Sequence, residues 1–187
     1  MQFLKSADLD ISDIKLESAK VEELLFPDDM PESIKSSVLK NLKDKEFINV
    51  KTIHKTDDGE DVYFDLNDES DGTRKLFSFA GPWIDSLKNG NVLFIDELHD
   101  SLHPKIVRFL IGLFNNKKTN PHDAQLIFTT HETSVLDQQV FRRDQIWFCH
   151  KEKDQSTIIY PLTDFSPRKG TENIEKAYLS GRYGALP

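Results

Sequence analysis

The sequence predicts an α/β fold with a mainly parallel sheet flanked by helices, together with an N-terminal helical segment and a β-hairpin. Two short, largely apolar runs, VLFI and QLIFTT, are each followed by polar residues, as buried parallel strands are. Helix-like stretches separate these runs along the chain. Two alternating apolar–polar segments flank an Asp58-Gly59 pair, which is a strong hairpin signal.

The composition is that of a globular protein, with 187 residues, 37% hydrophobic and 30% charged. The net charge of -8 argues against non-specific binding of nucleic acid by this chain alone. Cys149 is the single cysteine, so no internal disulfide can form, which fits a reducing cytosol. No stretch has the length of a membrane span, and the N-terminus is unlike a signal peptide. We therefore expect a cytoplasmic protein without a membrane partner.

Residues 1–46 are acidic, have a patchy apolar face, and are predicted to be the end of a helical lid or excursion. Within them, Glu32 or Ser33 should start a helix that continues to about Lys43. Residues 47–187 are predicted to form the lobe that carries the chemistry.

That lobe opens with the hairpin, whose strands are expected at residues 47–55 and 62–66. A helical pattern follows from Arg74 to about Lys88, and Pro82 should kink it or end its first half. Further elements are expected at residues 92–95 (strand), 104–115 (a helix apolar on nearly all sides and hence buried), 125–130 (strand), 132–139 (helical turn), 144–150 and 157–162 (strands), and 172–179 (helix).

Asp96 and Glu97 follow the first apolar strand directly. In an open α/β sheet, ligands bind at the carboxyl ends of the strands. One carboxylate there can hold Mg²⁺, which prefers oxygen ligands, and the other can orient and deprotonate an attacking water. The strand pleat should send the two side chains in opposite directions. The alternative is a strand that simply ends in two solvated acids.

His131 follows residues 125–130 just as Asp96 follows residues 92–95. If the two strands are neighbours, His131 lies on the same edge of the sheet as the two acids. A neutral imidazole there could hydrogen-bond a γ-phosphate or the attacking water. Alone, such a histidine could also be merely exposed after a strand.

Ser70, Asp71, Gly72 and Thr73 precede the long helix predicted from Arg74. The free amides and the dipole at a helix N-terminus attract anions, and a glycine lets a phosphate approach the backbone closely. The alternative is ordinary N-capping by Ser70 or Asp71.

Three ordered segments, ESDGT at 69–73, VLFIDELHDSLHP at 92–104 and LIFTTHETSVLD at 126–137, resemble the C-terminal half of ABC-type ATPase domains. The resemblance is nearest to the bacterial "AAA family ATPase" group of the ABC/SMC-like class, found in phage-defence and abortive-infection systems. It covers about residues 47–187 and implies the C-terminal lobe of a P-loop NTPase of ABC type. It further implies ATP and Mg²⁺ as cofactors and a head-to-tail homodimer of the full-length protein.

The resemblance also implies a role for each matching position. It assigns the γ-phosphate-contacting signature to Ser70, Asp71, Gly72 and Thr73, the Mg²⁺-positioning Walker B acid to Asp96, the catalytic base to Glu97, the interface loop after Walker B to Asp100, Ser101, Leu102 and His103, and the switch histidine to His131.

The phosphate-binding loop of this class, G-x4-G-K-[ST], is missing, because none of the eight glycines is followed by lysine. We therefore expect the N-terminal Walker A half to be supplied in cis or in trans, and the chain alone to be inactive. The resemblance also suggests a nuclease or other effector partner with a DNA or RNA target.

Two other functions remain open from the sequence. A metal-dependent hydrolase or nuclease could use His99 and His103 beside Asp96, Glu97 and Asp100. Alternatively, the fold could serve only dimerisation or partner binding.

Overall fold

The computed structural model describes residues 3, 11–19, 30–42, 47–166 and 172–186. The chain divides into two compact units, Met1–Ser78 and Phe79–Pro187, and each is treated by itself below. The sheet of the first unit joins residues on both sides of position 46. The lid boundary expected there stays a prediction.

The first unit is built on a three-stranded antiparallel sheet of β1 (Asp13–Ala19), β2 (Phe47–Lys55) and β3 (Asp61–Asp65), in that order. β1 corrects the helical prediction for this part of residues 1–46, since residues 13–17 alternate charged and apolar side chains with the period of a strand. Ile14 and Leu16 share one face of β1. On the other face, Glu17 pairs with Lys15 at 2.9 Å and with Lys51 of β2 at 3.4 Å.

Other parts of the first unit agree with the sequence. Helix α1 (Glu32–Leu42) occupies the predicted span. β2 and β3 form the predicted hairpin, in which Gly59 has φ of +83° and the Thr56 amide donates to the Glu60 carbonyl at 2.9 Å.

Helix α2 (Asp71–Asn89) begins three residues earlier than predicted and contains residues of both units. It begins early because Ser70 caps it. The prediction that Pro82 could end its first half is wrong, since the helix continues through this residue. Leu76, Phe79 and Trp83 are buried at helical spacing on either side of the proline, and this packing sustains the helix.

The second unit contains β4 (Val92–Ile95), α3 (Pro104–Asn115) and β5 (Gln125–Phe128), all close to their predicted positions. β4 and β5 are parallel, with Val92 beside Gln125 and Ile95 beside Phe128. α3 is less buried than predicted, because its buried positions Val107, Leu110 and Ile111 form one face.

The rest of the second unit is a hairpin of β6 (Trp147–Lys151) and β7 (Thr157–Pro161), followed by α4 (Ile174–Leu179). β6 starts later than predicted because residues 143–145 form a 3-10 turn, and the turn predicted at 132–139 is limited to Thr133–Val135. The core of this part consists of Ile146, Phe148, Leu162, Ile174 and Tyr183.

The prediction of a mainly parallel sheet is wrong for the described residues, in which three of the four strand pairings are antiparallel. Of the paired strands, only β4 and β5 combine parallel direction with a connecting helix, whereas short turns join the β2–β3 and β6–β7 hairpins. β4, the strand that precedes the two acids, is also less buried than predicted: Val92 and Phe94 are 49% and 70% exposed. In the ranges that the structure describes, no helix combines the length and apolar character of a membrane span.

Candidate functional site

The candidate site lies where β4 and β5 end. Their ladder continues one step beyond the strands, because the Thr129 amide donates to the Ile95 carbonyl and the Leu98 amide donates to the Thr129 carbonyl, both at 3.0 Å. Asp96 and Glu97 are thus held beside the residue that follows β5. The parallel pairing predicted from the sequence is what brings these two chain segments to one edge.

Thr129 links the two acids, although it was not among the residues predicted for the site. Its hydroxyl accepts a hydrogen bond from the Glu97 amide at 2.9 Å and donates one to Oδ1 of Asp96. The available signal was a hydroxyl side chain directly after a strand that runs parallel to the one ending in Asp96. A threonine in that place can satisfy both a backbone donor and a carboxylate.

The carboxylates of Asp96 and Glu97 have different partners. The expected cause was the pleat of the strand, but the observed cause is a turn that follows the strand. β4 ends at Ile95, and Glu97 has φ of +52°, a left-handed conformation that costs a non-glycine residue roughly 1–3 kcal/mol. Fully buried Leu98 and the bond from the Asp100 amide to the Glu97 carbonyl, 3.0 Å long, hold this turn. Asp96 therefore contacts Thr129, whereas Glu97 is turned toward the segment after β5.

His131 meets Glu97 across the strand ends. Its Nε2 lies 3.1 Å from Oε1 of Glu97, and the two side chains are 81% and 42% exposed. The structure therefore brings together Asp96, Glu97 and His131, the three residues that the sequence placed at one edge. Because the side chains of His131 and Glu97 are exposed, a ligand can reach both.

His99 is a further member of this cluster. Its Nδ1 lies 3.3 Å from Oε2 of Glu97, and its ring meets that of His131 edge to face with centroids 5.8 Å apart. From the sequence, His99 was a candidate only for the alternative metal site. The described residues contain no group of three or more histidine, cysteine, aspartate or glutamate side chains placed to hold a metal ion.

The loop after the acids leads into α3. Ser101 has φ of +58°, and its hydroxyl donates to Oδ1 of Asp100 at 3.4 Å. His103 caps α3, since its Nδ1 accepts the Lys105 amide at 3.2 Å. This ring nitrogen is engaged within its own helix.

The segment that follows His131 is fixed by its own hydrogen bonds. Oε1 of Glu132 accepts the Ser134 amide at 3.0 Å. Hydrogen bonding from Ser134 lowers the pKa of the Glu132 carboxyl, with smaller contributions from His99 and Arg108. Arg108 of α3 also pairs with Asp137 at 3.4 Å. These contacts hold the main chain next to His131.

Ser70 and Thr73 belong to the first unit and show the capping geometry that the sequence left open. The Thr73 amide donates to Oγ of Ser70 at 3.2 Å, and the two hydroxyls are 2.9 Å apart. Asp71 pairs with Arg74, and Gly72 lies in the first turn of α2. The cap therefore occupies one of the amides that an anion could have used.

Glu69, just before this turn, is tied to β2. Its Oε1 accepts from the hydroxyl of fully buried Thr52 and lies 2.7 Å from Nε2 of His54. The start of α2 is thereby fixed to the sheet of the first unit.

The chain matches a family of known proteins. The family described as "AAA domain, putative AbiEii toxin, Type IV TA system" matches residues 4–137, which is more than half of the chain. The matched span includes Ser70 to Thr73 and the whole cluster from Asp96 to His131. No curated protein matches the chain significantly.

Proposed function

The chain belongs to this AAA domain family, and from that premise we propose that it supplies the hydrolytic half of an ATP site in an ABC-type ATPase. The main support is the distance of 3.1 Å between Oε1 of Glu97 and Nε2 of His131, which lie at the ends of two parallel strands. A carboxylate and an imidazole so placed can both hydrogen-bond to one water that lies beside the pair, the first as its base and the second as its hydrogen-bonding partner.

In this proposal, Glu97 takes the proton of the attacking water and His131 orients that water or the γ-phosphate. Asp96 is the Mg²⁺ residue: its carboxylate is exposed and anchored by Thr129. One carboxylate suits Mg²⁺, which keeps several waters and binds phosphate oxygens, and the ion would neutralise phosphate charge.

The open face of β4 and β5 supports a partner that carries the phosphate-binding loop. Val92, Phe94 and Ile127 are 49%, 70% and 48% exposed, and Phe94 lies beside Ile127 in the strand register. They form one apolar face, the kind of surface that marks an interaction site. The Walker A half, in cis or in trans, is the occupant we propose.

The same proposal gives the first unit a role in trans. In a homodimer, Ser70 to Thr73 of one chain would contact the γ-phosphate bound to Asp96, Glu97 and His131 of the other. Asp100, Ser101 and His103 would lie at that interface. The family description names a putative toxin of a type IV toxin–antitoxin system. We propose that ATP hydrolysis in such a system controls an effector, such as a nuclease acting on DNA or RNA.

The test is ATP turnover with Mg²⁺ by the chain assembled with its Walker A half. Glu97→Gln should lower kcat by about 10²- to 10⁴-fold, the usual contribution of a general base, and should trap the ATP-bound dimer. Glu152→Gln makes the same chemical change in the exposed β6–β7 turn and should leave turnover unchanged. Normal turnover by the Glu97 variant would remove the assignment of the base.

Calorimetry on the chain alone tests the division of the site between two halves. Since most phosphate contacts are assigned to the Walker A half, ATP binding by the chain alone should be weaker than micromolar. Micromolar binding would contradict the divided site.

A further inference from the structure

We propose that His99 is a positioning residue, which holds the Glu97 carboxylate so that its Oε1 faces His131. The inference rests on the proposed role of Glu97 as the base. The resemblance of the three segments assigned no role to His99.

The two oxygens of Glu97 are divided between two imidazoles. Oε1 lies 3.1 Å from Nε2 of His131, and Oε2 lies 3.3 Å from Nδ1 of His99. A carboxylate approached at both oxygens has lost much of its freedom to rotate about its last side-chain bond. His131 is 81% exposed and His99 only 27%, so His99 is the better anchored of the two.

The burial of Nδ1 gives His99 a reason to hold Glu97. This ring nitrogen is inaccessible to water and has no aligned hydrogen-bond partner among the described residues. A buried polar atom without a hydrogen-bond partner is energetically unfavourable, because it has lost its bonds to water. The Glu97 carboxylate at 3.3 Å is close enough to relieve that cost after a small rotation.

The chain between the two residues fixes the geometry. Leu98 is fully buried, and the Leu102 amide donates to the His99 carbonyl at 3.0 Å. His99 therefore projects from a short anchored turn. Its ring also meets the His131 ring edge to face at an interplanar angle of 89°, which restricts the second imidazole.

Two variants separate positioning from packing. His99→Asn keeps an N–H donor close to the place of Nδ1, whereas His99→Leu has the same branching without a donor. If Nδ1 holds Glu97, the asparagine variant should behave like the wild type and the leucine variant should not. A purely structural role would affect both variants alike.

The first readout is the ¹³Cδ resonance of Glu97 in the full chain labelled at glutamate. In His99→Leu it should shift toward the position of a free carboxylate, and in His99→Asn it should stay near the wild-type position. Conversely, Glu97→Gln should shift the ring signals of His99 and His131 and leave those of His103, the α3 cap, unchanged. An unchanged Glu97 resonance in the leucine variant overturns the inference, and so do equal shifts in the two His99 variants.

The second readout is ATP turnover by the chain assembled with its Walker A half. His99→Leu should lower kcat by about 10- to 100-fold at an unchanged KM for ATP, since misplacing a reacting group by about 1 Å costs up to 100-fold. His99→Asn should recover most of the loss. If the wild type has no ATPase activity, the proposed function fails, while the Glu97 resonance still decides whether His99 positions this carboxylate.

Discussion

Replacing Thr129 with valine tests how the two strand ends are joined. Valine keeps the branched shape and the strand preference of threonine but removes the hydroxyl that accepts the Glu97 amide at 2.9 Å and donates to Asp96. A hydrogen bond contributes about 0.5–1.5 kcal/mol net, and these two lie at the surface, where water can replace them. We therefore expect a loss of about 1 kcal/mol in the free energy of unfolding.

Urea denaturation followed by circular dichroism measures this difference, and the amide resonance of Glu97 should move upfield once its acceptor is gone. Thr129→Ser keeps the hydroxyl and should lose less than half as much stability as Thr129→Val. Equal urea midpoints for Thr129→Val and Thr129→Ser would show that the Thr129 hydroxyl does not join the two strand ends. An unchanged Glu97 amide resonance in Thr129→Val would show the same.

Two glycines and one tyrosine give further predictions. Gly90→Ala should cost about 2–4 kcal/mol in urea denaturation, because Gly90 has φ of +71° and a Cβ would lie 2.6 Å from the His122 carbonyl oxygen. Gly112→Ala, where the new carbon has no heavy atom within 4 Å apart from its chain neighbours and the adjacent backbone of its own helix, should instead stabilise by about 0.5–1 kcal/mol. Burial, together with the hydrogen bond to Glu172, raises the pKa of Tyr183 from 10.0 to about 12. Folding favours the protonated phenol, so the contribution of Tyr183 to the free energy of unfolding is fully present below pH 10. About 2–3 kcal/mol of it is lost between pH 10 and 12. Between pH 9 and pH 12, Tyr183→Phe should therefore lose about 2–3 kcal/mol less stability than the wild type when both proteins are unfolded in urea.

Local patterns in the sequence were sufficient to predict several helices and strands. The hairpin around Asp58-Gly59, the proline that opens α3 and the apolar runs of β4 and β5 are short-range signals, and each element formed close to its predicted place. The meeting of Glu97 with His131 followed from one further assumption, that β4 and β5 are parallel neighbours, and the register confirms that assumption.

Features that depend on contacts between distant residues were predicted poorly. β1 is a strand because its backbone pairs with β2, which lies about 30 residues further along the chain, and the acidic residues around β1 concealed the alternation. The approach of His99 to Glu97 depends on the positive φ at Glu97, which no residue type in the sequence announces. The exposure of Phe94 could not be predicted, because an apolar strand looks the same in a sequence whether or not its second face is covered.

The open face of β4 and β5 makes the stability of the second unit a matter of mass action. Any partner that covers Phe94 and Ile127 in the folded state alone stabilises that state, by about 2.7 kcal/mol at a free partner concentration of 100 times Kd. The melting temperature of this unit should therefore rise with the concentration of such a partner. For the Walker A half proposed above, acting in trans, the folded fraction of this unit in a cell would depend on how much of that half is made.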